Sequence, residues 1–359
     1  MEFDHINFYV ENAIESRDWF INKLGFTSVT PGNQNFTASS TSQHTHKEVI
    51  KRGRVYFVLS SPITSASHVA KFLSLHPPGV GDIAFRVADI YSVVAKAARN
   101  GAEILQPIQE NLQGLKWAKI SGWGNLTHTL IEKINDPQIL YSAAQLPTDI
   151  VGIDHVVLNV AEGELESAFN WYNQILGLQA RQNFDVQTKK SALRSRVMVT
   201  PNGDVQFPIN EPASSNSQIQ EFLDANHGSG IQHIALRTEN ILGAVGELRS
   251  RGLPFLRVPG TYYSSLETKA LNYLSEIDWQ KVQDYQILID WQELVSEAML
   301  LQIFTQPIFP QPTLFFEFIE RRVAWVNGQK MQAQGFGQGN FQALFEAIER
   351  EQMKRGSLG

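Results

Sequence analysis

The sequence predicts an α+β fold of two tandem domains, each of paired βαβββ modules that form a curved, barrel-like mixed sheet, followed by a C-terminal helix. Three observations predict it. First, Asp4-His5-Ile6-Asn7-Phe8-Tyr9-Val10 is echoed by Asp154-His155-Val156-Val157-Leu158-Asn159-Val160. Second, Gly81-Asp82-Ile83-Ala84-Phe85-Arg86 is echoed by Ile231-Gln232-His233-Ile234-Ala235-Leu236-Arg237, and Thr129-Leu130-Ile131-Glu132-Lys133 matches Glu317-Phe318-Ile319-Glu320-Arg321. Third, the spacing repeats: His5 to Asp82 is 77 positions and His155 to His233 is 78.

Each half opens with a strand carrying its histidine, then a helix. The helices end at Leu24-Gly25 and Leu176-Gly177, where glycine after the last apolar position is the usual left-handed stop. A second round begins at Asp82 and at His233. Its helices run over about 90–100 and 241–251, with Ile90, Val93, Val94 and Ala97, and Ile241, Val245 and Leu248, on one buried face. The last landmark breaks the symmetry, because Asp82 to Thr129 is 47 positions whereas His233 to Glu317 is 84. A mostly helical insertion of roughly 35–40 residues is therefore expected, at about 262–300. The polar, Pro-bearing stretch Gln145-Leu146-Pro147-Thr148-Asp149 divides an N-terminal domain, 1–145, from a C-terminal domain, 150–359. A final helix is expected over about 340–355 with Asn340 as its N-cap. The glycines of Gly335-Phe336-Gly337-Gln338-Gly339 before it would let it dock as a lid.

Composition narrows the function. The chain has 359 residues, 43% of them hydrophobic, as in a globular protein with room for two cores. A net charge of −6 without a basic block argues against a nucleic-acid partner, and no apolar run is long enough to span a bilayer. The acidic, strand-like start Met1-Glu2-Phe3-Asp4-His5 does not read as a secretion signal, so a cytoplasmic location is expected. The absence of cysteine excludes thiolate ligands, leaving nitrogen and oxygen donors for any metal.

At the three registered positions the first copy reads His5, Asp82, Thr129 and the second reads His155, His233, Glu317. Two histidines and one carboxylate are the donor set of a non-haem iron(II) facial triad, with open positions for substrate and O2. Strand alternation turns all three toward one face. Glu317 stands in the apolar run Leu314-Phe315-Phe316-Glu317-Phe318-Ile319, where an uncompensated charge costs several kcal/mol and a dication would offset it. The structural alternative is that Glu317 pairs with Arg321, Arg322 or Arg237. His5, facing Asp82 and Thr129, reads as structural, and His44 and His46, in a polar Ser/Thr/Gln segment, read as exposed.

Further motifs carry a resemblance: Gln206-Phe207-Pro208-Ile209-Asn210-Glu211-Pro212, Ser217-Gln218-Ile219-Gln220, Leu301-Gln302-Ile303-Phe304-Thr305 and Gly335-Phe336-Gly337-Gln338-Gly339-Asn340-Phe341. With the histidine strands, they resemble the 4-hydroxyphenylpyruvate dioxygenase family of the vicinal oxygen chelate superfamily along nearly the whole chain, more strongly after residue 150. The resemblance implies Fe(II) held by His155, His233 and Glu317. It implies oxidation of 4-hydroxyphenylpyruvate by O2 to homogentisate and CO2, by a homo-oligomer, dimer or tetramer. It places Ser195, Asn210, Gln218, Gln232 and Gln302 as polar substrate contacts and Phe304, Phe336 and Phe341 as an aromatic clamp.

Strand alternation sets Gln232 opposite to His233 unless the strand bulges there. Asn340 is expected to cap the lid helix rather than touch the ligand. Gln306-Pro307-Ile308-Phe309-Pro310-Gln311-Pro312 departs from the family's Lys-Pro and Gly-Asp-Arg-Pro pattern, which bears on loop contacts and not on the reaction class. The rival readings are 4-hydroxymandelate synthase, to which Pro208 and Asn210 are less suited, an extradiol-type dioxygenase, and a metal-free binding protein.

Overall fold

The computed structural model describes residues 1–29, 42–112, 114–133, 150–187, 191–291, 298–326 and 329–356. The boundary expected at Gln145–Asp149 lies outside the described residues. The first half runs β1 (Glu2–Tyr9), α1 (Ala13–Leu24), β2 (Thr27–Ser28), β3 (Thr45–Arg52), β4 (Val55–Pro62), α2 (His68–Leu73), β5 (Gly79–Arg86), α3 (Ile90–Arg99), β6 (Ile104–Glu110), β7 (Leu115–Ser121) and β8 (Thr127–Lys133). The second half repeats this order with β9 (Ile150–Asn159), α4 (Leu165–Leu176), β10 (Gln179–Gln187), β11 (Ala192–Val199), β12 (Gln206–Pro212), α5 (Gln218–Asn226), β13 (Gly230–Thr238) and α6 (Ile241–Ser250). Three short helices follow, α7 (Gly260–Ser264), α8 (Glu267–Ala270) and α9 (Glu276–Tyr285), before β14 (Leu288–Trp291), β15 (Met299–Phe304) and β16 (Phe315–Arg321). A hairpin of β17 (Val323–Val326) and β18 (Gln329–Gln332) leads to α10 (Gln338–Arg355).

The two halves form mixed sheets of the same order, β2-β3-β4-β1-β5-β8-β7-β6 and β10-β11-β12-β9-β13-β16-β15-β14. This is the expected α+β architecture of paired βαβββ modules. In each, the strand bearing the first histidine lies beside the strand bearing the second registered residue, and the third follows in parallel. The topology therefore brings together residues far apart in sequence. The glycine stops form as expected, with Gly25 and Gly177 left-handed (φ 66° and 73°).

Two boundaries differ from the sequence reading. β14 is the edge strand equivalent to β6, so residues 288–291 belong to the repeated module. The added helical residues lie between α6 and Leu288 and begin before residue 262. The last helix starts at Gln338 and not at Asn340, with left-handed Gly337 as its cap residue.

The halves share one hydrophobic core. On β16, alternate residues face opposite ways. Phe316 stacks on Phe57 of the first half, centroids 5.9 Å apart, and meets Phe8 and Phe20, while Glu317 faces the concave side of its own sheet. Burying one such ring contributes about 1.5–3 kcal/mol. Polar ties add to this packing: Arg52 pairs with Glu247 at 2.7 Å and His76 Nδ1 donates to the Asn226 carbonyl at 2.6 Å. The first half thus buttresses the strand that carries Glu317. No described helix is long and apolar enough to cross a membrane.

Candidate functional site

His155 on β9, His233 on β13 and Glu317 on β16 converge, with their ligand atoms within 4.8 Å of one another. Glu317 Oε2 lies 3.2 Å from His155 Nε2 and 3.7 Å from His233 Nε2. The opposite edges of the groups are held by neighbours. His155 Nδ1 donates to Asp154 Oδ1 at 2.9 Å, and His233 Nδ1 donates to Gln232 Oε1 at 3.0 Å. Gln302 Nε2 donates to Glu317 Oε1 at 2.9 Å. Each ring is thereby oriented with Nδ1–H held outward and Nε2 toward the centre, as in metal sites whose ligand histidines are oriented by a hydrogen-bonded partner.

The sheet supplies those neighbours by breaking its own alternation. Two of the three register shifts of the β9–β13 ladder fall between Ile231 and His233 and between Ala235 and Leu236. The skipped residues are Gln232 and, on the partner strand, Asp154. A bulge lets a residue and its neighbour point the same way. Gln232 therefore lines the same cavity as His233, contrary to simple alternation. Asp154 is buried, and Arg321 grips it through Nε and Nη2, each at 2.7 Å. Arg321 thus pairs with Asp154 and not with Glu317, while Arg322 pairs with Glu320 at 3.0 Å.

Charge at this centre is negative in character. Burial works against a charge on His155, but the Glu317 carboxylate and the Asp154 hydrogen bond outweigh it and lift its pKa to about 9. Burial and the neighbouring His155 push His233 well below the ordinary histidine value. A carboxylate, two Nε2 lone pairs and a potential that favours a cation fit a divalent metal with nitrogen and oxygen preference.

The centre opens into a pocket whose exposed lining is mostly apolar. Ser195, Asn210, Gln218, Gln232, Gln302, Phe304, Phe336 and Asn340 all line it. The side chain of Phe341 lies outside the described residues. Phe336 meets His155 edge-on at 5.1 Å, and Phe315, which sequence reasoning did not single out, stacks on His233 at 4.8 Å. The only ionisable side chains among the described lining residues are His155, His233 and Glu317. Gln218 carries a buried Oε1 with no protein partner, an acceptor left for a bound molecule.

Asn340 does not cap its helix. It lies one turn in, where its Nδ2 donates to Gln302 Oε1 at 2.9 Å and its Oδ1 accepts from the Tyr262 hydroxyl at 2.8 Å. Gly337 is left-handed (φ 75°), and a Cβ there would stand 1.8 Å from Gln302 Oε1, so only glycine lets the lid approach this amide. Asp290 on β14 caps the helix from outside by accepting from the Gly339 N–H at 3.2 Å. A chain of hydrogen bonds thus runs Tyr262–Asn340–Gln302–Glu317, from the helical insertion to the carboxylate. Tyr262→Phe leaves Asn340 Oδ1 short of a donor, a cost of about 1–3 kcal/mol. The expected result is faster hydrogen exchange over residues 338–355 with lower turnover; unchanged exchange there would contradict the latch.

In the first copy the registered trio is held differently. Thr127 and Thr129 hydroxyls donate to Asp82 at 2.6 and 2.8 Å, and the Lys119 ammonium lies 3.4 Å from it. Lys119 stands opposite Thr129 as Phe304 stands opposite Glu317. Burial would raise the Asp82 pKa, but Lys119 and the hydroxyls bring it below the ordinary value. An internal ammonium balances this carboxylate. His5 keeps the neighbour bond, Nδ1 to Asp4 Oδ1 at 2.8 Å. His44 is exposed and bonded to Thr64, and His46 is half-buried beside Glu48.

Comparison with known proteins adds an independent line. The family model for the N-terminal part of hydroxyphenylpyruvate dioxygenase matches residues 1–145, and that of the glyoxalase/bleomycin resistance protein/dioxygenase superfamily matches residues 152–268. The 4-hydroxyphenylpyruvate dioxygenase of Dictyostelium discoideum is 37% identical over 385 residues, covering 99% of each chain. An uncharacterised protein of Synechocystis is 36% identical over 355 residues, covering 97% of each. Among solved structures, a triply substituted 4-hydroxymandelate synthase from Streptomyces coelicolor superposes with a TM-score of 0.82 at 27% identity, covering 98% of each chain.

Proposed function

The chain belongs to the 4-hydroxyphenylpyruvate dioxygenase family, and we propose that it converts 4-hydroxyphenylpyruvate and O2 to homogentisate and CO2 with Fe(II) held by His155, His233 and Glu317. The observation that carries this reading is the donor set: two imidazoles locked to present Nε2, and one carboxylate turned by Gln302 to present Oε2. Bound there, Fe(II) would supply sites for chelating the 2-oxo acid and for reducing dioxygen. The 2-oxo acid provides the electrons that an external reductant would otherwise bring. One oxygen atom ends in the new carboxylate and the other in the ring hydroxyl. The carboxyl carbon leaves as CO2 and the side chain migrates to the neighbouring ring carbon.

The protein's own groups position and enclose. Asp154 and Gln232 retain the Nδ1 protons, so neither ring need change tautomer during turnover. Ser195, Asn210 and Gln218 offer neutral hydrogen-bonding groups to the phenol end without adding charge that would compete for the metal. Phe304, Phe336 and the first turns of α10 hold the ring and keep water from the reacting atoms.

Hydroxylation of the benzylic carbon, as in 4-hydroxymandelate synthase, is the second reading, favoured by the structural likeness to that enzyme. The two products are isomers. Chromatography against both standards with ring-proton NMR is expected to show homogentisate, one CO2 released per O2 consumed. Hydroxymandelate as the main product would overturn the first reading.

A further inference from the structure

The duplication extends beyond the three registered residues to the wall around them. In the second sheet Ser195 on β11 stands opposite Asn210 on β12, and Asn210 lies beside Asn159 on β9. The same ladders in the first sheet set Lys47 on β3 opposite Ser60 on β4, and Ser60 beside Tyr9 on β1. Gln218 opens α5 directly after the N-cap Ser217, and His68 opens α2 directly after the N-cap Ser67. Phe304 faces Glu317 on the neighbouring strand, and Lys119 faces Thr129. Where the second sheet lines its pocket with Ser195, Gln218 and Phe304, the first therefore carries Lys47, His68 and Lys119. Three neutral wall positions of one sheet are basic in the other.

Asp82 is the carboxylate of this group, and its partners are the Thr127 and Thr129 hydroxyls and the Lys119 ammonium. Burial works against the charge of Lys119, but Asp82 and Tyr9 outweigh it and raise its pKa. Lys47 has no such partner. Among the described residues it forms no ion pair and donates no hydrogen bond, and burial and the Lys119 charge lower its pKa against the pull of Asp82. Burial and the two ammoniums likewise push His68 down to about 4. The His68 ring meets Tyr9 edge-on at 5.2 Å, and the buried Tyr9 hydroxyl has no hydrogen-bond partner among the described residues. Gly81, which stands where the second sheet has Gln232, makes room for the Tyr9 ring: a Cβ there would lie 2.1 Å from it. That ring takes up space, so a ligand beside it is small. Two ammoniums against one carboxylate leave a half-buried positive charge uncompensated, which is costly unless an anion joins it.

We propose that the concave face of the first sheet holds a small-oxyanion site, in which Lys47, Lys119, His68 and the Tyr9 hydroxyl take a carboxylate or phosphate group. Ammonium, imidazole N–H and phenol O–H all donate, and charge-assisted hydrogen bonds to an anion's oxygens are the strong kind. The bound anion brings the negative charge that Thr129 lacks where the second copy has Glu317. A metal cation would meet two ammoniums instead. The duplicated sheet is thus used twice with opposite sign, for a cation in one copy and an anion in the other.

Calorimetric titration of the iron-loaded protein at pH 7 and fixed ionic strength, with inorganic phosphate and separately with acetate, tests the site. One equivalent per chain is expected to bind, and the arm that binds tells phosphate from carboxylate. Lys47→Ser, which matches the second sheet at Ser195, is expected to lower that affinity about tenfold or more. Turnover of the keto acid is expected to stay at the wild-type value, because Lys47 lies outside the metal site. If that variant does not fold, His68→Gln, which matches Gln218, takes its place with the same expected loss. The His68 ring signals give a second readout: a bound anion favours the imidazolium, so the pKa followed by NMR is expected to rise when the anion is added. Failure of both anions to bind overturns the proposal. Binding that survives Lys47→Ser undiminished overturns it too, since the anion then sits at the metal or on the surface. A wild-type protein that binds the anion yet consumes no O2 with the keto acid sinks the proposed function alone.

Discussion

Glu317→Ala is expected to leave a folded protein that holds little Fe(II) and turns over on the order of 10³-fold more slowly or worse, since metal assistance is worth several kcal/mol and each 1.36 kcal/mol is tenfold. The carboxylate is the one anionic donor of the set, and two neutral imidazoles do not hold a labile divalent ion well. The fold is expected to survive because removing a charge that is 1% exposed also removes its desolvation cost. Metal content of the purified variant, circular dichroism and oxygen uptake measure the three parts. A metal-free binding protein would behave otherwise, keeping its ligand affinity in this variant.

Arg321→Met is expected to cost about 3–5 kcal/mol, because it leaves the Asp154 carboxylate buried without its partner. Arg321 also donates through Nη1 to the carbonyls of Ala333 and Gly335, at 3.3 and 2.8 Å, so it ties the β9 ligand strand to the segment that leads into α10. Metal affinity is expected to fall about 10–100-fold with it, as for other groups that orient a ligand histidine. The pH dependence has a definite sign. Burial alone would raise the Asp154 pKa, but the Arg321 charge and its hydrogen bonds drive it far below the usual carboxylate range. A depressed folded pKa contributes stability above the unfolded value, about 3.9, that is lost as pH falls toward the folded one. Denaturant unfolding from pH 7 to pH 3 is therefore expected to show the gap between wild type and variant narrowing as pH falls, because burial without Arg321 lets Asp154 take up a proton in the folded variant while the wild type keeps its charge. A gap independent of pH would contradict the assignment.

The duplicated strand motifs made the fold legible, because a period-two pattern and a glycine stop need only local sequence. The registered positions did the same for His155, His233 and Glu317, since equivalent strands place equivalent residues at one centre. What was not legible depends on contacts that leave no local mark. The bulges at Asp154 and Gln232 break the alternation without any signal in residue type, so alternation alone could not place Gln232, which the family resemblance set among the substrate contacts. Arg321 stands four residues from Glu317 and was one of three arginines that could have paired with it, yet it reaches Asp154, 167 positions away in the chain. Asn340 has the residue type of a helix cap. Its bond to Tyr262 spans 78 positions and arises only once the insertion has folded over the site. Phe316 and Glu317 are neighbours, and their opposite fates, one packed into the first half's core and one in the cavity, follow from strand alternation alone.

The claim on which the account rests is that His155, His233 and Glu317 hold an Fe(II) ion that chelates the keto acid. Anaerobic reconstitution with Fe(II), followed by titration with 4-hydroxyphenylpyruvate while the visible spectrum is recorded, tests it most directly. A weak charge-transfer band that grows to one equivalent of keto acid per chain, and is lost in Glu317→Ala, is the expected result. A reconstituted protein that binds the keto acid without any such band would contradict it.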